Sequence, residues 1–394
     1  MKMKVKALII CLLAVSATVL ASAGCSHEEQ PAVTYSDSLT PHVSKIDMPF
    51  QIEKSETGRH VNDYVICFSD GTRFIAANMY NDETTAYEII KPEVRTDSIY
   101  VIDYENPENY IEHEVNSREW IYSAVPYKDG IIYVQSAGME ETIYVSSQGD
   151  TYGYEWKLIY FDGREEKTID RGYGLNSAAT EIILVNGVPV YKCERIKGGK
   201  IETSINRITE FETAVIDSME GFQTCDLFAS DGEKYFVDLI DEEQTKHVFV
   251  AGDEKKILME YETKEATNSS SIAGNYVVAS HGRDMGKTSI AGISIDGAEE
   301  KRIAQTKRWW RMIGSGGQYC MTVDDGFNLY YIDIEEEKVG QVLIPDEMKY
   351  LLVDSTSVEG EKEYISSIKS FYPAGKNKFL TEINMEEFYI IDFN

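Results

Sequence analysis

Phe388-Tyr389-Ile390-Ile391-Asp392, close to the end of a 394-residue chain, restates three earlier stretches. They are Leu329-Tyr330-Tyr331-Ile332-Asp333, Ile99-Tyr100-Val101-Ile102-Asp103 and Leu158-Ile159-Tyr160-Phe161-Asp162-Gly163; Ile293-Ser294-Ile295-Asp296-Gly297 is a weaker copy. Each is a short aromatic and β-branched run with period-two alternation, ended by an Asp that favours a turn. Glycine-bearing turns punctuate the chain at Asp70-Gly71, Asp129-Gly130, Asn186-Gly187, Asp231-Gly232, Gly274-Asn275, Gly316-Gly317 and Ala374-Gly375. They recur about every 40–60 residues, the spacing of four-stranded propeller blades with loop insertions. The pattern predicts an all-β chain folded as a single β-propeller. Seven four-stranded blades fit the turns, and six or eight fit where the steps are long. The Ile/Tyr/Asp runs are then the third strands of successive blades.

The last unit lacks a fourth strand, because only Phe393 and Asn394 follow Asp392. Lys45-Ile46-Asp47-Met48-Pro49-Phe50-Gln51-Ile52-Glu53 is strand-like and has no other partner. It is expected to close the ring, with Met48 to Ile52 beside Tyr389 to Asp392. Pro49 is tolerable on such an outermost strand, which is an edge. The layout resembles bacterial extracytoplasmic propellers of the broad TolB-like and YWTD-like kinds over about residues 45–394.

The first 24 residues read as an export leader. Lys2, Lys4 and Lys6 precede the apolar run Ala7 to Leu20, which is too short for a stable membrane span, and small residues follow. Ser22-Ala23-Gly24-Cys25 resembles the lipobox of bacterial lipoproteins, with Ser22 where that family prefers Leu. The resemblance implies a diacylglyceryl group on Cys25. Ordinary secretion with a free thiol is the alternative. Residues 25–44 carry Pro31 and Pro41 without an apolar period and read as a tether; 45–394 read as the propeller. The expected address is extracytoplasmic, lipid-anchored to the cell membrane, and the outer membrane in an organism that has one.

The formal charge is -29, and -32 once the three leader lysines are removed. That excess of acid argues against nucleic acid, whose phosphates need Lys and Arg. Cys67, Cys193, Cys225 and Cys320 are dispersed in strand-like runs and read as buried hydrophobes, with disulfide pairing left open.

Catalytic signatures are missing. There is no His-Glu-x-x-His and no Gly-x-Ser-x-Gly. Gly282 to Thr288 imitates a phosphate loop but has His281 where the first glycine belongs. Asp324-Asp325-Gly326 and Glu335-Glu336-Glu337 lack the alternating oxygen ligands of a calcium loop and read as solvated turns. No cofactor and no metal are expected.

A ligand is expected at the mouth of the central channel, where the inner strands begin. Arg118-Glu119-Trp120 and Lys307-Arg308-Trp309-Trp310-Arg311 hold three of the four tryptophans there. Trp and Arg offer flat apolar area with directed donors, so Arg118, Trp120, Arg308, Trp309, Trp310 and Arg311 are the candidate binding residues. The competing reading puts at least one of Trp309 and Trp310 in the core between blades. The leading function is a non-enzymatic module holding an envelope protein or glycan. A glycan hydrolase or lyase is the first alternative, and a transporter's solute-binding lipoprotein the second. The oligomeric state is open.

Overall fold

The computed structural model describes residues 37–48, 62–81, 94–117, 121–136, 143–144, 152–174, 180–197, 200–219, 224–240, 246–251, 257–263, 267–281, 288–297, 299–306, 310–324, 328–344, 353–358, 361–366, 371–383 and 387–394. Every regular element among them is a strand.

Six antiparallel sheets of four strands and one of five follow each other along the chain. Their first strands are Asn62–Ser69, Ala124–Tyr127, Thr180–Val185, Thr224–Ser230, Thr267–Ala273, Trp310–Gly316 and Phe371–Pro373. Each first strand touches the first strand of the next sheet, and the seventh touches the first. Seven blades therefore close around an axis, with the first strand of each innermost. Two of the long steps of the repeat hold added strands. Ile143–Tyr144 adds to Tyr152–Phe161 in blade 2, and a separate hairpin, Val353–Val358 with Glu361–Ser366, lies between blades 6 and 7.

The turn chemistry works as the repeat implies. Asp70 Oδ1 accepts the Thr72 and Arg73 amides at 2.8 and 2.9 Å, and Asp231 Oδ1 accepts those of Glu233 and Lys234. Third strands end the same way. Asp103, Asp162 and Asp392 accept the amides of Glu105, Arg164 and Asn394 at 2.8 to 2.9 Å. A short acid thus replaces the ladder where the strand stops. Asn186-Gly187, with φ of 50° and 74°, is the two-residue hairpin whose twist matches the flanking strands.

Neighbouring blades bury apolar layers between them. One layer joins Ile132, Trp156 and Leu158 of blade 2 to Ile182, Tyr191 and Cys193 of blade 3. Near the axis the inner strands are laced by serine hydroxyls. Ser230 Oγ donates to Leu184 O at 2.9 Å, Ser69 Oγ to Pro373 O, and Ser315 Oγ to Ile272 O. Inner strands have one backbone edge that faces no strand, and these hydroxyls satisfy part of it.

The ring closes as expected in kind but not in place. His42–Ile46, not Met48 to Ile52, pairs with the last strand, in the register His42 to Asp392 through Ile46 to Phe388. Residues 49–53 of the expected strand lie outside the described residues. Leu39, assigned to the tether by sequence, bridges to Val342 in parallel, and its amide donates to Gln341 O at 2.9 Å. The strand reaches both neighbouring layers: Ile46 packs with Tyr64, Phe74 and Phe388 on the side of blade 1, and Val43 packs on the layer between blades 6 and 7, while the polar His42, Ser44 and Lys45 stay exposed at the rim. The apolar alternation of Ile46, Met48, Phe50 and Ile52 pointed too far along the chain. Lys45 also pairs with Glu387 across the closure.

His113, on the outer strand of blade 1, carries a testable pH dependence. It is buried against the edge of Phe161, with ring centroids 5.5 Å apart, and its Nδ1 has no hydrogen-bond partner. Burial lowers its pKa below the usual imidazole value. The neutral form folds, so the stabilisation is whole above the unfolded pKa near ~6.5 and declines as pH falls through it. Denaturant midpoints of the wild type are expected to drop between neutral and mildly acidic pH more than those of His113→Phe. The gap is at most about 1.4 kcal/mol per pH unit. Parallel pH profiles of the two proteins would contradict it.

Candidate functional site

Every inner strand starts at one end of the ring, which also carries the connections from second to third strands. The opposite end carries the Asp-Gly turns. The first end is where the sequence places a ligand.

The sequence-derived candidates divide there. Arg118, Trp120, Arg308 and Trp309 lie outside the described residues. Arg311 is described in its backbone alone, paired with Val323. Trp310 is a correction. It is 1 % exposed, stacks on Tyr330 with centroids 4.3 Å apart, and packs with Val278, Ile290 and Ile332 between blades 5 and 6. Its amide donates to Thr288 Oγ1 at 3.1 Å. An indole committed to both neighbouring blades is core and offers no face to a ligand.

The residue that sequence reasoning missed is Tyr122, at the start of blade 2's inner strand. It is 52 % exposed, the one aromatic among the exposed large hydrophobics of the described residues. The segment carrying it has no regular secondary structure, yet its neighbours are fixed. Ile121 N donates to Thr96 Oγ1 at 3.1 Å and Ile121 O accepts from Cys67 Sγ at 3.3 Å. Ser123 O accepts the Val134 amide at 3.0 Å. Ser123 Oγ accepts Ile182 N at 2.9 Å and donates to Ile182 O at 3.1 Å, which joins blade 2 to blade 3. Tyr122 is thus half-exposed between two anchored residues. A presented ring of this kind gives up little conformational freedom on binding. Composition gave no signal for it, because tyrosine is common throughout the chain, at 26 copies.

Second strands end at the same end of the ring in buried polar residues, and those with defined partners serve the fold. Asn78 Oδ1 accepts the Asp97 and Ser98 amides at 2.8 and 2.9 Å. Glu382 Oε2 of blade 7 accepts Ile66 N of blade 1 at 3.1 Å. Asp324, expected in a solvated turn, is buried. It accepts the Asn328 amide at 2.8 Å and the Tyr330 hydroxyl at 3.2 Å, so it ties the second strand of blade 6 to the third. Glu335, Glu336 and Glu337 do form an exposed turn. No three His, Cys, Asp or Glu groups among the described residues converge as metal ligands. Cys67, Cys193 and Cys320 are free thiols, and burial pushes those of Cys193 and Cys320 up, away from the reactive thiolate.

No protein-family model matches the sequence, and no curated protein sequence does. Among solved structures, an oligogalacturonate lyase from Vibrio parahaemolyticus is similar in chain course. It has 11 % sequence identity and a TM-score of 0.49, over 91 % of this chain and 98 % of that one. A chain of the mitotic checkpoint complex has 9 % identity and a TM-score of 0.47, over 93 % of this chain and 96 % of that one.

Proposed function

We propose that the chain is a lipid-anchored, extracytoplasmic propeller that binds an envelope protein or glycan at the end of the ring where the inner strands begin. The observation that carries the binding role is Tyr122. An exposed aromatic ring on an otherwise irregular segment, fixed by hydrogen bonds to three blades, is the arrangement of a binding anchor. The anchoring and the address are supported by the leader and by Cys25. Arg118 and Trp120, candidates from the sequence, precede Tyr122 in the chain.

Tyr122→Ala tests it. The side chain is exposed, so the variant is expected to keep the wild-type far-UV spectrum and thermal midpoint. Retention of the bound component from envelope extracts should fall about tenfold or more, as at other aromatic anchors. Equal retention by both proteins would move the site elsewhere. Depolymerisation of an added polysaccharide by the wild type would replace the binding role with the glycan enzyme.

A further inference from the structure

We infer that the outer hairpin of blade 3 is a strained strap clasped onto blade 2, which lifts locally while the ring stays closed. The inference is independent of the binding role of Tyr122.

Blade 3 contains two hairpins whose two-residue loops share one backbone type. Asn186-Gly187 joins its first strand to its second, with φ of 50° and 74°. Glu210-Phe211 joins its third strand, Lys200–Thr209, to its outermost strand, Glu212–Met219, with φ of 51° and 67°. Asn-Gly is a pair that such a loop prefers, because both central residues need a positive φ. Glu-Phe is not, and a bulky side chain in that region is strained. The local sequence therefore explains the first loop and not the second. Strain of this kind persists where surrounding contacts hold it in place.

Those contacts come from blade 2. The Phe211 ring centroid lies 4.8 Å from that of Tyr160 and 5.6 Å from that of Tyr127. The ammonium groups of Lys128 and Lys167 sit 4.2 and 4.4 Å from the Phe211 centroid. Glu210 Oε2 accepts from Lys128 Nζ at 2.7 Å, and Lys128 itself has a φ of 53°.

The hinge is at the other end of the strap. Ile205 pairs with Asp217 and Asn206 with Val215, so Ile216 is an extra residue, a bulge. Ile216 is buried, whereas Glu212, Thr213, Ala214 and Val215 are all exposed. Between bulge and tip the strap is held by its ladder to residues 206–209 and by Phe211. Few buried contacts mark a segment that opens ahead of the whole fold. Lifting it uncovers Tyr160 and bares the strand edge at 206–209, at the end of the ring that carries the Asp-Gly turns. The Lys128 and Glu210 side chains are 34 % and 80 % exposed, so salt screens their ion pair and loosens the clasp.

Hydrogen–deuterium exchange of the full chain, resolved by peptide, is the test. Phe211→Ala is expected to speed exchange across residues 206–215 about tenfold or more, with the second strand of the same blade, 188–197, within about twofold of wild type. Phe211→Gly removes the same ring but suits the backbone, so its strap should exchange about fivefold more slowly than that of Phe211→Ala. Lys128→Gln, a change in blade 2, should speed the same blade 3 segment about threefold to fivefold. It should also abolish the acceleration that about 0.5 M sodium chloride gives the wild type.

Unchanged exchange at 206–215 in Phe211→Ala would overturn the inference. So would acceleration that spreads equally over 188–197, since the strap would then open only with its blade. Exchange as fast in Phe211→Gly as in Phe211→Ala would show a loop without strain and overturn it too. Lys128→Gln leaves the blade 3 sequence intact and decides the matter if the Phe211 variants fail to fold: wild-type exchange in that variant would show that blade 2 does not hold the strap.

Discussion

A chain that begins at Asp47, without His42–Ile46, is expected to melt several degrees below the full chain and to self-associate. The removed strand makes five cross-strand pairs with the last strand, buries Ile46 against blade 1, and lays Val43 on the layer between blades 6 and 7. Burying one isoleucine is worth roughly 1.5–3 kcal/mol, and the pairs and Val43 bring the total to about 5 kcal/mol. A loss of that size lowers the midpoint by several degrees in a protein this large. The second consequence is kinetic and colloidal. Glu387–Asp392 would become an unpaired edge carrying Phe388, Tyr389, Ile390 and Ile391. Such an edge recruits other strands. Ile46→Ala separates the two effects. It keeps the edge covered, so it should cost about 2–4 kcal/mol without raising light scattering. Coincident melting of the shortened and full chains would show that the ring does not depend on its closing strand.

The fold was largely legible because its signals are local. An Asp or Asn before Gly sets most of the hairpins, and the Ile/Tyr alternation ending in Asp marks the third strands at 99–103, 158–162, 329–333 and 388–392. Each of those signals rests on residues within a few positions of one another, as the amides bonded by Asp70 and Asp103 show. What was hidden depends on residues far apart. The closing strand is His42–Ile46, whose Val43 and Ile46 meet apolar residues supplied by blades 6 and 1, on either side of the last blade. Trp310 read as a binding residue because tryptophan is rare and arginines flank it. Its burial follows from Tyr330 and Thr288, which only the paired blades bring to it. Tyr122 was passed over for the opposite reason. Its exposure is fixed by Thr96, Cys67 and Ile182, none of them a chain neighbour.

The seam between blades 2 and 3 should also fail in a characteristic way. Arg195 of blade 3 donates through Nη2 to Asp170 of blade 2, and its guanidinium lies 5.2 Å from the Trp156 ring centroid. Asp170 Oδ2 also accepts the Tyr191 hydroxyl at 2.5 Å, and Trp156 Nε1 donates to Glu194 O at 2.9 Å. The Arg195 and Asp170 side chains are 25 % and 19 % exposed, so the pair is largely withdrawn from water. Arg195→Met keeps the packing volume on Trp156 but strands the Asp170 carboxylate with one donor fewer. The expected cost is about 2–4 kcal/mol, below the value for fully buried pairs because solvent reaches part of both groups. Asp170→Leu alone strands the guanidinium and should cost a similar amount. Replacing both removes two desolvated charges together and leaves only the Tyr191 hydroxyl without its acceptor, so the double variant should lie within about 1–3 kcal/mol of wild type, less than the sum of the single losses. Guanidinium chloride unfolding of the four proteins measures the coupling. Additive losses would mean that Arg195 and Asp170 act separately.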